Sequence, residues 1–282
     1  MRNRYRKQKI WYGILLSMTA IVIAFVFGIV AYLIIKGGST LSWEFIFTHP
    51  DTGMRSGGIF PAILGTLYLV LGTIIFSLPI GVLAAIYLNE YAKKNRLTRM
   101  IRLSIVNVAG VPSIVFGLFG LGFFVILLNF GKSLLAGSLT LALLILPVVI
   151  TSSEEALKAV PNEFREASLA LGATKWQTII KVVLPQALPG IITGSVISVG
   201  RAAGETAPIL FTVAVYSMRG LPNSIFSEAM VLPYHLYVIA TQIPNAPVDM
   251  QWGTALMLMI LVLIFAAIGS GIRSWSRMKR IK

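Results

Sequence analysis

Two charges stand four residues apart in an otherwise apolar stretch. Residues 197–210 read ISVGRAAGETAPIL, and Arg201 and Glu205 are the charged ones. At that spacing the side chains share one helix face and can form an ion pair. The guanidinium can do more. Its planar fork donates two parallel hydrogen bonds, which suits an oxyanion such as phosphate or sulfate. Two readings follow. In one, Arg201 meets an anion in passage while Glu205 holds it in position or alternates as its partner. In the other, the pair is a buried salt bridge that only keeps helices in register.

Composition says what kind of element carries the pair. The chain has 282 residues, 56% of them hydrophobic and 12% charged, with a mean hydropathy of +0.84. Soluble domains carry about 25% charged residues, so the chain is expected to cross a membrane several times. It has no cysteine, which excludes disulfides and Cys-ligated metals. The net charge of +14 fits basic loops flanking membrane spans better than a nucleic-acid surface. The N-terminal MRNRYRKQK leads into a 25-residue apolar run, 11–35. A signal peptide has an apolar region of about 7–15 residues, so this run is expected to be a retained first membrane helix.

A span needs about 20 mostly apolar residues. Six stretches qualify: about 11–35, 60–88, 104–130, 134–153, 186–216 and 252–272. Nineteen of the 24 basic residues fall in the N-terminal segment, the 89–103 and 154–185 loops, and the C-terminal tail. Lys36, Arg55, Lys132 and Arg219 fall in the alternate loops, and Arg201 lies within a span. The excess of positive charge inside places both termini in the cytoplasm. The expected fold is therefore all-α and integral to the membrane, with six transmembrane helices. Trp43, Phe45 and Phe47 in the outer 36–59 segment are expected near the interface. The outer segment 217–251, with four prolines, is left open between a short re-entrant helix and an interfacial one.

Within the fifth span, Arg201 lies about 16–17 Å beyond Gly190 at roughly 1.5 Å per residue, near mid-bilayer. Intramembrane charges usually face a cavity or the bundle interior. The pairs Gly190/Gly194 and Gly200/Gly204 are small-xxx-small patterns that let a neighbouring helix come close. The second would set the charges beside a tight contact at a subunit seam. Pro208 is expected to kink or unwind the outer end of the span. The third span contains NVAGVPSIVFGLFG at 107–120 and reads as a helix broken at Gly110 and Pro112. Backbone freed at that depth needs protein or water around it. Ser113 and its backbone would then line a path; a simple proline kink is the other reading.

The loop 154–185, EEALKAVPNEFREASLALGATKWQTIIKVVLP, reads as a helix, a glycine turn and a second helix. Asn162 is the expected N-cap, Gly172 the left-handed C′ residue, and Thr174 to Gln177 a capping box. The second helix is expected to run towards Pro185, where the next span begins. Small Ala167, Ser168 and Ala170 leave room for another protein; a hairpin without a partner is the alternative.

Other candidates carry less. Gly131-Lys132-Ser133 resembles the end of a phosphate-binding loop, but Ile126 stands where the first glycine is required. His49 and His235 are isolated, so no metal site is expected. Glu154 and Glu155 are expected to form a solvated helix end. No catalytic residue and no cofactor is expected.

EASLALGATKWQTIIKVVLP resembles the EAA loop of ABC importer permeases: E-A-A, three residues, Gly, nine residues, I-x-L-P. Glu166, Ala167, Gly172, Leu184 and Pro185 match, and Ala173 follows the glycine. Ser168 and Val182 stand where Ala and Ile are usual. The resemblance implies the type I importer permease fold and a coupling loop seated in a cytoplasmic ATPase. In that loop Gly172 makes the turn and Glu166 anchors it by polar contacts. GRAAGETAP and NVAGVPSIVFGLFG are similar to segments of phosphate importer permeases of the Pst system, A-type subunit. This likeness covers about 59–275 and implies that Arg201 and Glu205, with Thr206 beside them, belong to the translocation path or gate. The implied partners are a homologous second permease (PstC-like), two copies of an ATP-binding subunit (PstB-like) and an extracytoplasmic phosphate-binding protein (PstS-like). The chain divides accordingly into a first helix with its outer loop, 1–58, and a permease core, 59–282, in a bacterial or archaeal cytoplasmic membrane. A permease for sulfate, molybdate or an amino acid would use the same loop. A scaffold or intramembrane enzyme would not, and the spans lack the paired Asp, or Ser with His, that such an enzyme needs.

Overall fold

A computed structural model describes residues 2–278, apart from 52 and 219, as a mostly helical chain. Arg219, Lys279, Arg280 and Lys282, used in the charge argument, lie outside the described residues. Five helices are long and apolar enough to cross a membrane, or six if one bent pair is a single span.

Helix α1 (Arg2–Gly37) stands apart, with none of its apolar window buried. It meets the rest near its C-terminal end, where Tyr32 packs edge-on against Trp252 at 5.3 Å. A short helix α2 (Trp43–Phe47) and a two-stranded hairpin, β1 (Pro50–Asp51) with β2 (Ser56–Gly57), follow. Phe45 points into the core while Trp43 and Phe47 stay exposed.

The centre of the bundle is α6 (Leu134–Lys158), 67% of whose apolar window is buried. On it pack α3 (Phe60–Ile86) and α9 (Leu184–Gly204). Small residues bring these helices close. Gly72 sits on Ser138, Gly81 on Val149, and Gly190 on Ala156, where an added Cβ would stand 2.7 Å from the alanine Cβ. Helix α12 (Val248–Met278) closes over α9, with Gly269 against Val196.

The third span departs from a straight 104–130 helix. Helix α4 (Arg96–Ala109) starts earlier, capped by Asn95, which accepts from the Thr98 amide at 2.8 Å. It meets α5 (Ser113–Gly120), continued by a π-helical stretch Leu121–Leu127, at a bend of 99° across Gly110–Pro112. The break was expected from Pro112, but a right-angle turn was not. Proline removes a donor and forces its predecessor out of helical geometry. Polar and apolar residues also share α4, so it favours lying across the end of the bundle rather than through it.

The fifth span also departs from 186–216. Helix α8 (Lys175–Thr178) passes through a π-helical stretch, Ile179–Val183, straight into α9. Pro185 therefore sits near the start of α9 without stopping the chain, since a wide turn absorbs a proline. The span then breaks at Glu205–Thr206 and resumes as α10 (Ala207–Thr212), with Pro208 at its second position.

In the connecting loop, α7 (Asn162–Ala170) has Pro161, not Asn162, at its N-cap, and no side chain caps it there. Gly172 does take the left-handed turn, with φ of +83°, and the Thr174–Gln177 capping box forms. Glu154 is not a solvated end. Helix α6 continues through it and it is buried; only Glu155 is exposed. Gly131 is a positive-φ turn and Ser133 caps α6. The segment 217–251 contains α11 (Leu232–Thr241), tied to α3 by the Leu232 amide on Thr66 Oγ1 at 2.9 Å.

Candidate functional site

The last turn of α9 has two faces. Val199, Ala202 and Ala203 are buried, with Ala202 packed on α6 beside Leu144, Ile145 and Val149. Ile197, Arg201 and Gly204 form the opposite stripe and are exposed. Nothing lies within 4 Å of a Cβ built on Gly204, and Gly200 meets only Val262 at 3.9 Å. Among the described residues, then, nothing packs tightly at Gly200/Gly204, where a contact at a subunit seam was expected. Close packing occurs at Gly190 and Gly194, against Ala156 and Ser152.

Arg201 Nε donates to Glu205 Oε1 at 3.2 Å, and the side chains are 44% and 16% exposed. A guanidinium carries five N–H donors. Among the described residues, no other hydrogen bond uses those of Arg201. The pair thus holds the guanidinium by its inner edge and leaves the two-nitrogen fork open. Arg201 also sits in the last turn of α9, where the helix dipole favours a cation. Glu205 is the residue that leaves helical geometry, at ψ of 134°. Thr206, half-buried, opens α10.

Helix α5 lies against α10. A Cβ on Gly117 would stand 2.9 Å from Pro208 Cα and 3.0 Å from the Ala207 carbonyl oxygen, and one on Gly120 would stand 2.9 Å from Thr212 Cγ2. The two helices therefore run parallel. Ser113, the first residue of α5 and half-buried, lies one turn before Gly117, about 6 Å along the axis. That sets the 110–112 break and the 205–206 break at a similar depth. The 205–206 break follows Arg201 directly at the end of α9.

The residues singled out in the 154–185 loop form a separate cluster at the basic end of the bundle. Gly172 has open space around it, and Ala167 and Ala173 lie near it, the first exposed and the second half-buried. Glu166 is exposed and, among the described residues, hydrogen-bonds to nothing. Within the chain, its neighbour Arg165 ties the loop to the bundle, with Nη2 2.8 Å from Glu90 Oε1. Ser168, which departs from the usual alanine, shares a hydrogen bond of 2.9 Å with Thr178. Leu184 and Pro185 sit where the π-helical stretch becomes α9. Sequence reasoning missed Arg165 and Glu90. The available signal was Glu90 itself, a lone acid in a loop that is otherwise basic.

Residues 77–277 match the family described as binding-protein-dependent transport system inner membrane components. The chain belongs to that family. It is a multi-pass inner-membrane permease, a transport subunit that works with a binding protein. It is 36% identical to the probable ABC transporter permease protein YqgI of Bacillus subtilis, over 93% of this chain and 94% of that protein. It is 40% identical to the phosphate transport system permease protein PstA 1 of Mycobacterium tuberculosis, over 77% of this chain and 72% of that one. Among solved structures it resembles a chain of a bacterial ABC transporter involved in the import of alginate, with a TM-score of 0.68 at 14% identity, covering 95% of this chain and 96% of that one. It also resembles a chain of the inward-facing MetNI methionine transporter, with a TM-score of 0.59 at 21% identity, covering 78% and 94%. The permease fold is that of ABC importers.

Proposed function

We propose that this permease forms half of the translocation path of an ATP-driven phosphate importer. The observation that carries the reading is the open fork of Arg201, held by Glu205 on a helix stripe that the described residues leave exposed. A desolvated phosphate needs a bidentate donor that is already oriented. Relatives whose names denote phosphate permeases support the same substrate.

The bare stripe of Ile197, Arg201 and Gly204 faces the second, homologous permease (PstC-like), so that the path lies between the two subunits. Glu205, Thr206 and Ser113 flank it, and the adjoining breaks in the third and fifth spans form the gate. The basic end of the bundle is cytoplasmic, as are both termini, and residues 59–282 form the core. At that end Glu166, Ala167, Ser168, Gly172, Ala173, Leu184 and Pro185 form the coupling loop. It docks on one of two ATP-binding subunits (PstB-like), which carry out the hydrolysis. On the other side an extracytoplasmic phosphate-binding protein (PstS-like) delivers the anion.

The test is uptake of labelled phosphate in cells carrying wild type or Arg201→Gln, with membrane levels matched. Loss of uptake at equal levels supports the reading. Unchanged uptake would reduce the pair to a helix-register contact. Uptake of labelled sulfate instead of phosphate by the wild type would overturn the substrate.

A further inference from the structure

We propose that Arg165 is the strut through which movement of the coupling loop reaches the spans. The inference rests on the docking role proposed above for that loop. Helix α7 contributes no buried residue of its own to the bundle, so apolar packing holds it weakly. Arg165 supplies the hold instead. Its side chain is 16% exposed and that of Glu90 is 8% exposed.

One guanidinium joins three elements. Nη2 donates to Glu90 Oε1 at 2.8 Å and to the Leu157 carbonyl at 2.9 Å. Nη1 donates to the Val160 carbonyl at 2.7 Å. Glu90 lies in a π-helical turn, Tyr87–Tyr91, that ends the α3 span. Leu157 lies in the last turn of α6 and Val160 just beyond it, where the helix dipole favours a cation. The Ser168–Thr178 bond closes the loop on itself. A push on α7 is therefore felt at the ends of α3 and α6 together.

The same π-turn passes the push on. Arg102 of α4 donates to the Leu88 carbonyl at 2.8 Å and pairs with buried Glu154 at 2.8 Å. Lys158 completes that cluster at 3.1 Å from Glu154. Arg165 and Arg102 thus grip residues two apart in one wide turn, whose looser hydrogen-bond ladder shifts more readily than an α-helix. Helix α4 leads through the 99° bend into α5, which carries Ser113 and the Gly117 contact with Pro208. The route from the loop to the candidate gate is continuous in packed and bonded groups.

The complex, reconstituted with its ATPase and binding protein in vesicles, is assayed for ATP hydrolysis and labelled phosphate uptake in the same sample. Arg165→Gln is expected to keep hydrolysis within about twofold while uptake falls roughly tenfold, so that ATP spent per anion rises. A residue with only a structural role lowers both in step with the amount of assembled complex, and an unchanged ratio overturns the strut. Should Arg165→Gln not assemble, Glu90→Gln decides, because it keeps Arg165 and its bonds to α6. A raised ratio is again expected, and an unchanged one overturns the proposal. Failure of the wild type to co-purify with the ATPase would remove the docking reading and the strut with it. Co-purification with an unchanged ratio would remove the strut alone.

Discussion

Gly117 and Pro208 meet without an intervening side chain. A Cβ on Gly117 would stand 2.9 Å from Pro208 Cα. The contact joins the third and fifth spans just past the break in each, so it fixes how far those breaks can separate. The two nearest obstructing atoms, Pro208 Cα and the Ala207 carbonyl oxygen, are backbone and cannot rotate away. Gly117→Ala is therefore expected to destabilise the permease by about 1–3 kcal/mol, as overpacking does, and Gly117→Val by more. Thermal unfolding of the purified protein in detergent reads this. An unchanged midpoint for Gly117→Ala would mean that the two helices sit further apart than described.

Arg201→Lys separates charge from geometry. The lysine keeps a cation but offers no fork. Lysine keeps a positive charge opposite Glu205, so membrane levels are expected to stay equal. Phosphate uptake is expected to fall at least about tenfold, the size of effect usual for a lost charge-assisted hydrogen bond. Lysine that transports as well as arginine would show that the fork plays no part.

How much of this was legible depended on the range of the interactions. Local signals were readable: Gly172 at a left-handed turn, the Thr174–Gln177 box, the break at Pro112, and Arg201 with Glu205 on one face. Each rests on residues within about one turn. What failed needed tertiary distance or a backbone option with little sequence signature. Glu154 read as solvated because its partner Arg102 is 52 positions away, and Glu90 and Arg165 are 75 apart. The continuity of α8 into α9 was hidden because Pro185 reads as a stop, and no residue type announces a π-turn. The Gly200/Gly204 pattern was expected at a subunit seam, and among the described residues the close helix contacts of α9 lie at Gly190 and Gly194. The same four-residue spacing served two faces, and only packing told them apart.

Gly172 separates folding from docking. Its φ is +83° and a side chain there would meet nothing within 4 Å. Gly172→Ala therefore carries only the backbone penalty, about 1–2 kcal/mol, and is expected to insert and retain most uptake. Gly172→Asp carries a similar backbone penalty and adds a charge on the surface proposed to meet the ATPase. It is expected to insert but to lose co-purification with the ATP-binding subunit. Equal co-purification of the alanine, aspartate and wild-type proteins would place the docking surface elsewhere.

His235 gives the permease a pH dependence that is independent of transport. It lies on α11, outside the spans, and is 2% exposed. Neither ring nitrogen has a hydrogen-bond partner among the described residues. Burial lowers its pKa from 6.5 to about 4. Above the upper value the ring is neutral in both folded and unfolded chains and contributes no pH dependence. Between the two values the unfolded chain takes up a proton that the folded one refuses. Stability therefore falls as pH drops from about 6.5 to about 4, by at most about 3 kcal/mol, and no further below that. Comparing unfolding midpoints at about pH 7.5 and about pH 5 for wild type and His235→Leu isolates this group from the carboxylates, which both proteins share. The variant is expected to lose less on acidification. Equal losses would mean that His235 reaches water or a partner in the folded protein and keeps an ordinary pKa.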